Sequence, residues 1–134
     1  MRIRVGFLAA LLVMSAASTA HAGHHLWVFS EMYSNASGSV QYVEMFTSAA
    51  NEQGVGAFTV TSGANTLNFV TNLPSSATAN THILMATAGF GSIAGGVTPD
   101  YIIPSNFFST GGGTLNYAGG VSTWAFGAVP TDGV

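Results

Sequence analysis

The sequence predicts an all-β protein, a small antiparallel β-sandwich or closed barrel that follows an amino-terminal signal-peptide helix. Apolar and polar residues alternate with a period of two in many short runs, which is typical of half-buried strands. Turn signals rich in Gly, Asn, Ser and Pro separate these runs at close intervals. After the first 22 residues, no segment has the 3.6-residue apolar period of a helix, so a two-layer β architecture is expected.

Residues 1–22 have the three parts of a secretory signal peptide. Arg2 and Arg4 form a positive start, residues 5–20 are almost all apolar or small, and Ala20-His21-Ala22 has the small-x-small pattern of a cleavage site. A spanning helix needs about 20 apolar residues, which argues against the alternative of an uncleaved membrane anchor. The sequence therefore predicts cleavage after Ala22 and a secreted protein, periplasmic or extracellular, without a membrane span in its mature form.

The predicted mature chain, residues 23–134, forms a single domain without cysteine, lysine or arginine. The absence of cations argues against nucleic acid and anionic lipid as partners, because both are bound largely through Lys and Arg. An exported domain without cysteine is more typical of bacterial secretion than of disulfide-rich animal domains. The sequence stops just after a Pro130-Thr131-Asp132-Gly133 turn, which predicts a truncated C-terminus. The five acidic residues are Glu31, Glu44, Glu52, Asp100 and Asp132.

The strands are expected where period-two patterns lie between turns. Residues 34–39 and 62–65 have turn composition, and 118–120 is the centre of a second predicted hairpin. Residues 89–96 are too irregular to assign, and Asn106-Phe107-Phe108 is expected to form either one helical turn or an apolar plug. The predicted strands are 26–33, 40–48, 57–61, 66–70, 82–87, 101–103, 114–117 and 121–126.

The first predicted hairpin carries a resemblance to a known family. One strand contains Ser30-Glu31, a glycine turn follows, and the next strand contains Tyr42-Val43-Glu44-Met45. This arrangement resembles the opening of the lamin-tail family, which implies an immunoglobulin-like β-sandwich. The chain also resembles small exported bacterial proteins of unknown function, in the hairpin, Leu73-Pro74, 110–114 and 130–133. Bacterial lamin-tail-like domains are often accessory modules beside secreted enzymes, so the resemblance implies that an accessory role here needs a partner or a missing C-terminal part.

Glu31 and Glu44 are the first candidate site. If the hairpin is centred on residues 36–38, the two carboxylates face each other about 5 Å apart, and their repulsion favours binding of a cation such as Ca²⁺ or a shared proton. Asn35 and nearby carbonyls are further possible ligands. The alternative is structural: the register differs, and each glutamate accepts hydrogen bonds from loop backbone.

Gly23-His24-His25 is the second candidate site. Cleavage after Ala22 places a histidine third from a free amine, and the amine, two amide nitrogens and the His25 imidazole suit square-planar Cu(II) or Ni(II). The alternative is that the histidine occupies this position by chance. His82 is interpreted as a strand-edge residue rather than a ligand.

The aromatic side chains are expected mostly in the core. Strict alternation places Trp27, Phe29 and Tyr33 on one face with Glu31, so an outward orientation of that face is the alternative, a stacking platform for sugars. The other aromatic core candidates are Tyr42, Trp124 and Phe126.

No catalytic pattern was identified. There is no Gly-x-Ser-x-Gly elbow or thiol nucleophile, and 110–114 lacks the Lys and helix of a phosphate loop. The sequence therefore favours a non-enzymatic surface or interaction module without a cofactor, whose partner is a protein or glycan at the cell surface. The alternatives are a self-assembling matrix or fibre protein and a calcium-binding accessory domain for a secreted enzyme.

Overall fold

A computed structural model describes residues 23–131, and these residues form an all-β structure with one short 3-10 helix at Phe90–Ser92. The predicted signal peptide, including Ala20 and Ala22, lies outside the described residues, as do 132–134. Within residues 23–131 no helix is long and apolar enough to span a membrane. The strands are β1 (Val28–Ser34), β2 (Gln41–Thr47), β3 (Thr59–Ser62), β4 (Asn65–Asn68), β5 (Thr81–Thr87), β6 (Tyr101–Ile103), β7 (Gly113–Tyr117) and β8 (Ser122–Phe126).

The strands form two four-stranded sheets. Sheet A has the order β1-β2-β5-β6, and sheet B has the order β4-β3-β7-β8. Neighbouring strands are antiparallel except β5 and β6, which pair in parallel. The β-sandwich prediction is confirmed. Both ends of each of the eight predicted strands lie within two residues of the ends of an observed strand.

The core lies between the two sheets. Sheet A contributes Val43, Met45, Ile83, Met85 and Ile103, whereas sheet B contributes side chains of β3 and β7. This two-sided burial explains the alternation of buried and half-buried residues along β2. Loop and turn residues complete the core. The buried hydrophobic residues outside sheet A are Trp27, Val55, Val60, Phe69, Phe107, Phe108, Leu115 and Tyr117.

The segment 106–108 forms the apolar plug rather than a helical turn. Phe107 and Phe108 are buried, and the backbone of Phe108 is held by the side chain of Gln41. Asn106 has a positive φ of 56°, which turns the chain so that both phenylalanines point into the core. This plug connects the end of sheet A to the loop before β7.

A β-bulge in β1 changes the faces that strict alternation predicts. The register with β2 shifts between Phe29 and Glu31, so Ser30 is the extra residue. Trp27 is fully buried and Phe29 packs against the core, whereas Glu31 is exposed. The prediction that Trp27, Phe29, Glu31 and Tyr33 share one face is therefore wrong, because a one-residue insertion reverses the side-chain orientation that follows it.

Candidate functional site

The outer face of sheet A brings Glu31 and Glu44 together. The two residues are direct partners in the β1–β2 register, as the hairpin prediction expected. The bulge at Ser30 is what aligns them, since without it the register would pair Ser30 with Glu44. The different register that the structural alternative assumed is not the observed one.

Side chains, not loop backbone, hold the two carboxylates. The Tyr42 hydroxyl donates a hydrogen bond to Oε1 of Glu31 over 2.5 Å. Oε1 of Glu44 accepts a hydrogen bond from the Ser30 hydroxyl over 3.1 Å and lies 2.7 Å from Nδ1 of His82. The two acids therefore face each other but have separate partners, which orients their carboxylates and limits their freedom to converge on one cation.

Tyrosine rings extend this polar group into a larger surface. Tyr33 and Tyr42 are register partners whose ring centroids lie 5.8 Å apart at an interplanar angle of 21°. Phe90 meets the Tyr42 ring edge-on at 5.2 Å. Burial, followed by the hydrogen bond to Glu31, raises the pKa of the Tyr42 hydroxyl above its usual range, so this group remains a donor at neutral pH. We refer to Glu31, Tyr33, Tyr42, Glu44 and His82 as the outer cluster.

His82 belongs to this cluster although sequence reasoning did not place it there. It is half-exposed, and its ring packs near Phe46 with centroids 5.0 Å apart. Its contact with Glu44 depends on the pairing of β2 with β5, which are separated by more than 30 residues. The apolar run 82–87 indicated a strand at this position, but no local signal indicated that Glu44 would be the neighbour of His82.

Residues 23–27 form a second arrangement, the N-terminal arm, against the loop 51–54. Gly23 donates its backbone N–H to Asn51 O over 2.7 Å and accepts a hydrogen bond from Gly54 over 2.9 Å. Trp27 Nε1 donates to the carbonyl of Glu52 over 2.7 Å. His24 stacks on Phe58 at 3.7 Å. The arm is therefore part of the folded domain.

The metal-site predictions receive no direct test from this geometry. Within residues 23–131 no three His, Cys, Asp or Glu side chains are grouped so that they could hold a metal ion. Asn35, a possible calcium ligand, accepts hydrogen bonds from Val40 and Ser37 of its own turn. His24 and His25 are neighbours at 3.7 Å, and the copper arrangement additionally requires the free amine that cleavage produces. Both sites stay predictions.

The other aromatic predictions divide between core and surface. Trp27 is buried, and Phe29, Trp124 and Phe126 pack against the core as expected. Tyr33 and Tyr42 instead lie on the outer face, so only part of the predicted aromatic set is internal. Trp124, Phe126 and Glu31 line a cavity of about 300 Å³ beside the outer cluster, between β1 and the segment after β8.

A larger cavity, of about 620 Å³, lies at one end of the sandwich. Its lining includes four residues of the Gly-rich segment 110–114, namely Thr110, Gly112, Gly113 and Thr114. Polar contacts at its wall come from Asn65, whose Nδ2 donates to the carbonyls of Asn106 and Phe107. None of the residues that line it is charged, so it offers no group for acid–base chemistry.

Comparison of the chain with protein-family models, with curated proteins and with solved structures found no match, so the functional argument depends on the geometry described above.

Proposed function

We propose that this protein is exported, cleaved after Ala22, and used as a non-enzymatic interaction module with a lamin-tail-like, immunoglobulin-like fold. Its partner, a protein or glycan of the cell surface, contacts the outer cluster on sheet A. The observation that carries this proposal is the alignment of Glu31 and Glu44 beside the paired Tyr33 and Tyr42 rings on one sheet face.

The chemistry of the outer cluster suits recognition. Tyrosine rings supply a large and rigid apolar contact together with a hydroxyl group. The neighbouring carboxylates accept hydrogen bonds from the hydroxyl or N–H groups of a partner. Because these side chains stand on paired strands and are oriented by hydrogen bonds to each other, little conformational entropy is lost on binding.

The position of the two acids favours binding over catalysis. Both lie on an open sheet face, whereas a glycosidase needs its carboxyl groups on the two sides of a bound sugar ring. A self-assembling fibre receives less support, because two of the four edge strands, β4 and β6, have only four and three residues and the edge strand β1 contains a β-bulge. Short edge strands are one of the ways in which native proteins limit edge-to-edge pairing.

Binding to washed cells of the producing organism tests the proposal. Purified protein 23–134 is incubated with the cells, and the retained fraction is compared with that of a Tyr33→Ala/Tyr42→Ala variant. We expect the variant to lose at least tenfold in retention. A matched control, Thr66→Ala/Thr123→Ala, changes exposed residues of sheet B and should retain wild-type binding.

Treatment of the cells identifies the partner class. Loss of retention after protease treatment indicates a protein, and loss after periodate oxidation indicates a glycan. Equal retention of wild type and Tyr33→Ala/Tyr42→Ala, or no retention of wild type, contradicts the proposed role of the outer cluster. Intact mass of the protein recovered from periplasm or medium tests export separately, since a mass that includes residues 1–22 contradicts cleavage after Ala22.

A further inference from the structure

Glu52 is a buried carboxylate, and residues 23–134 offer it no Lys or Arg side chain as an ion-pair partner. It is 6% exposed, in the loop between β2 and β3. Its Oε2 accepts a hydrogen bond from the backbone N–H of Leu26 over 3.0 Å. A buried carboxylate requires a counter-charge or several hydrogen bonds to offset the loss of water. Residues 23–134 contain no Lys or Arg that could supply that charge.

The neighbouring histidine is a poor source of the missing charge. Burial and the adjacent His25 lower the pKa of His24, and these effects outweigh the opposing attraction of Glu52. The His24 ring instead packs flat on Phe58, an apolar contact that suits its neutral form. At neutral pH the side chains around Glu52 therefore leave a place for a cation from another source.

Gly23 lies directly against the free side of this carboxylate. A Cβ built on Gly23 would overlap Oε1 of Glu52 and lie 2.9 Å from its Cδ, so the absence of a side chain allows the close approach. The Gly23 nitrogen, one bond of about 1.46 Å from Cα, also donates to Asn51 O over 2.7 Å. Gly23 thus lies with its Cα against Oε1 of Glu52 and with its nitrogen hydrogen-bonded to the carbonyl oxygen of Asn51.

We propose that Asn51 and Glu52 form a binding site for the α-ammonium group of Gly23, which cleavage after Ala22 creates. This inference rests on the cleavage site in the proposed function. A peptide nitrogen offers one N–H, whereas an α-ammonium group offers three donors and a positive charge. One donor keeps the hydrogen bond to Asn51 O, and the others reach Oε1 of Glu52. Cleavage then supplies the counter-charge that the folded domain otherwise lacks.

This docked state opposes the copper geometry predicted for Gly23-His24-His25. A square-planar Cu(II) complex uses the amine and the first two amide nitrogens as ligands. Binding to Cu(II) uses the lone pair of the Gly23 nitrogen, so the amine must first lose the proton that gives it its positive charge. Copper binding therefore removes the counter-charge from Glu52, and disruption of the ammonium site should strengthen Cu(II) binding.

The experiment uses the only primary amine of the mature chain as its probe. Protein that begins at Gly23 is released from a cleavable fusion, so the result does not depend on export in the cell. Without lysine, an N-hydroxysuccinimide acetate reagent acylates only the α-amine, and intact mass gives its rate at pH 7. We expect acylation at least tenfold slower than for the free peptide Gly-His-His-Leu-Trp.

Two variants distinguish protection of the amine by the ammonium site from protection by burial alone. Glu52→Gln should react at least fivefold faster than wild type, whereas Glu44→Gln, which removes a distant carboxylate, should react at the wild-type rate. If Glu52→Gln does not fold, a chain with one extra glycine before Gly23 moves the amine out of the site and should react at the peptide rate.

Wild-type acylation within twofold of the peptide rate overturns the inference. So does equal protection of the chain with the extra glycine. Neither result bears on export, which the intact mass of native protein measures separately.

Discussion

Glu31 and Glu44 face each other across β1 and β2, yet each carboxylate is bound by a different neighbour, Tyr42 for Glu31 and His82 for Glu44. Like charges in directly opposed positions of an antiparallel pair are destabilising. The separate hydrogen bonds compensate for that repulsion within the outer cluster.

Replacement of one charge tests the repulsion between the glutamates. Glu31→Gln preserves an acceptor for Tyr42 and removes one negative charge, so we expect the free energy of unfolding in low salt to rise by a few tenths of a kcal/mol. Urea denaturation at 10 mM and 500 mM salt measures the change, which should shrink in high salt. A loss of more than about 1 kcal/mol would show that the Glu31 charge itself stabilises the fold.

Calcium titration tests the metal prediction for the same pair. The carboxylates have protein partners, and within residues 23–131 no three His, Cys, Asp or Glu side chains are grouped so that they could hold a metal ion. We therefore expect the melting temperature to be equal in 5 mM CaCl₂ and in chelator. This calcium concentration exceeds the usual dissociation constants of extracellular calcium sites. A calcium-dependent rise that Glu44→Gln abolishes would instead establish the calcium site.

The raised pKa of the Tyr42 hydroxyl predicts that the folded protein loses stability at alkaline pH. Its pKa is raised in the folded state, first by burial and then by the bond to Glu31, whereas in the unfolded chain it ionises near pH 10. The unfolded state releases this proton first, so stability is fully present below about pH 10 and falls as the pH rises through the folded-state pKa. Urea denaturation between pH 8 and pH 11.5 should show a shallower decline for Tyr42→Phe. An identical decline would contradict the assignment to Tyr42.

Gln41, in β2 of sheet A, contacts the plug formed by residues 106–108 through its buried side-chain amide. Its Nε2 donates to Phe108 O over 2.9 Å and its Oε1 accepts from Phe108 N over 3.3 Å. Gln41→Leu leaves both backbone groups of Phe108 without that partner, and we expect a loss of about 2–4 kcal/mol in urea denaturation. Gln53→Leu is the matched control, because the buried Oε1 of Gln53 has no hydrogen-bond partner among the described residues. Equal losses for both variants would contradict the bridging role.

The glycine in the first turn contacts the plug directly. Gly38 has a φ of +67°, and a Cβ there would overlap the Asn106 side chain. Gly63 has a φ of +56° but faces open space. Alanine at either position costs about 1–2 kcal/mol in the left-handed region, and we expect Gly38→Ala to lose a further ~1 kcal/mol or more from the clash. Thermal denaturation of the two variants measures this difference, and equal melting temperatures would contradict it.

Local patterns were sufficient to predict the strands and the pairing of Glu31 with Glu44. Period-two alternation and turn composition depend on neighbouring residues only, so they identified all eight strands and the hairpin that places Glu31 opposite Glu44. The bulge at Ser30 escaped this reasoning because one inserted residue leaves the composition of a strand unchanged. It nevertheless decides that Trp27 enters the core while Tyr33 lies outside.

The sequence by itself determined the fold class, the absence of cations after residue 22 and the positions of the strands. Only the tertiary structure decided that His82 meets Glu44 and that Gly23 lies against Glu52, residues 38 and 29 positions apart in the chain. Alternation specifies which side of a strand is buried, but it does not specify which distant strand pairs with it. That choice follows from the packing of both sheets around one shared core, a property of the whole chain.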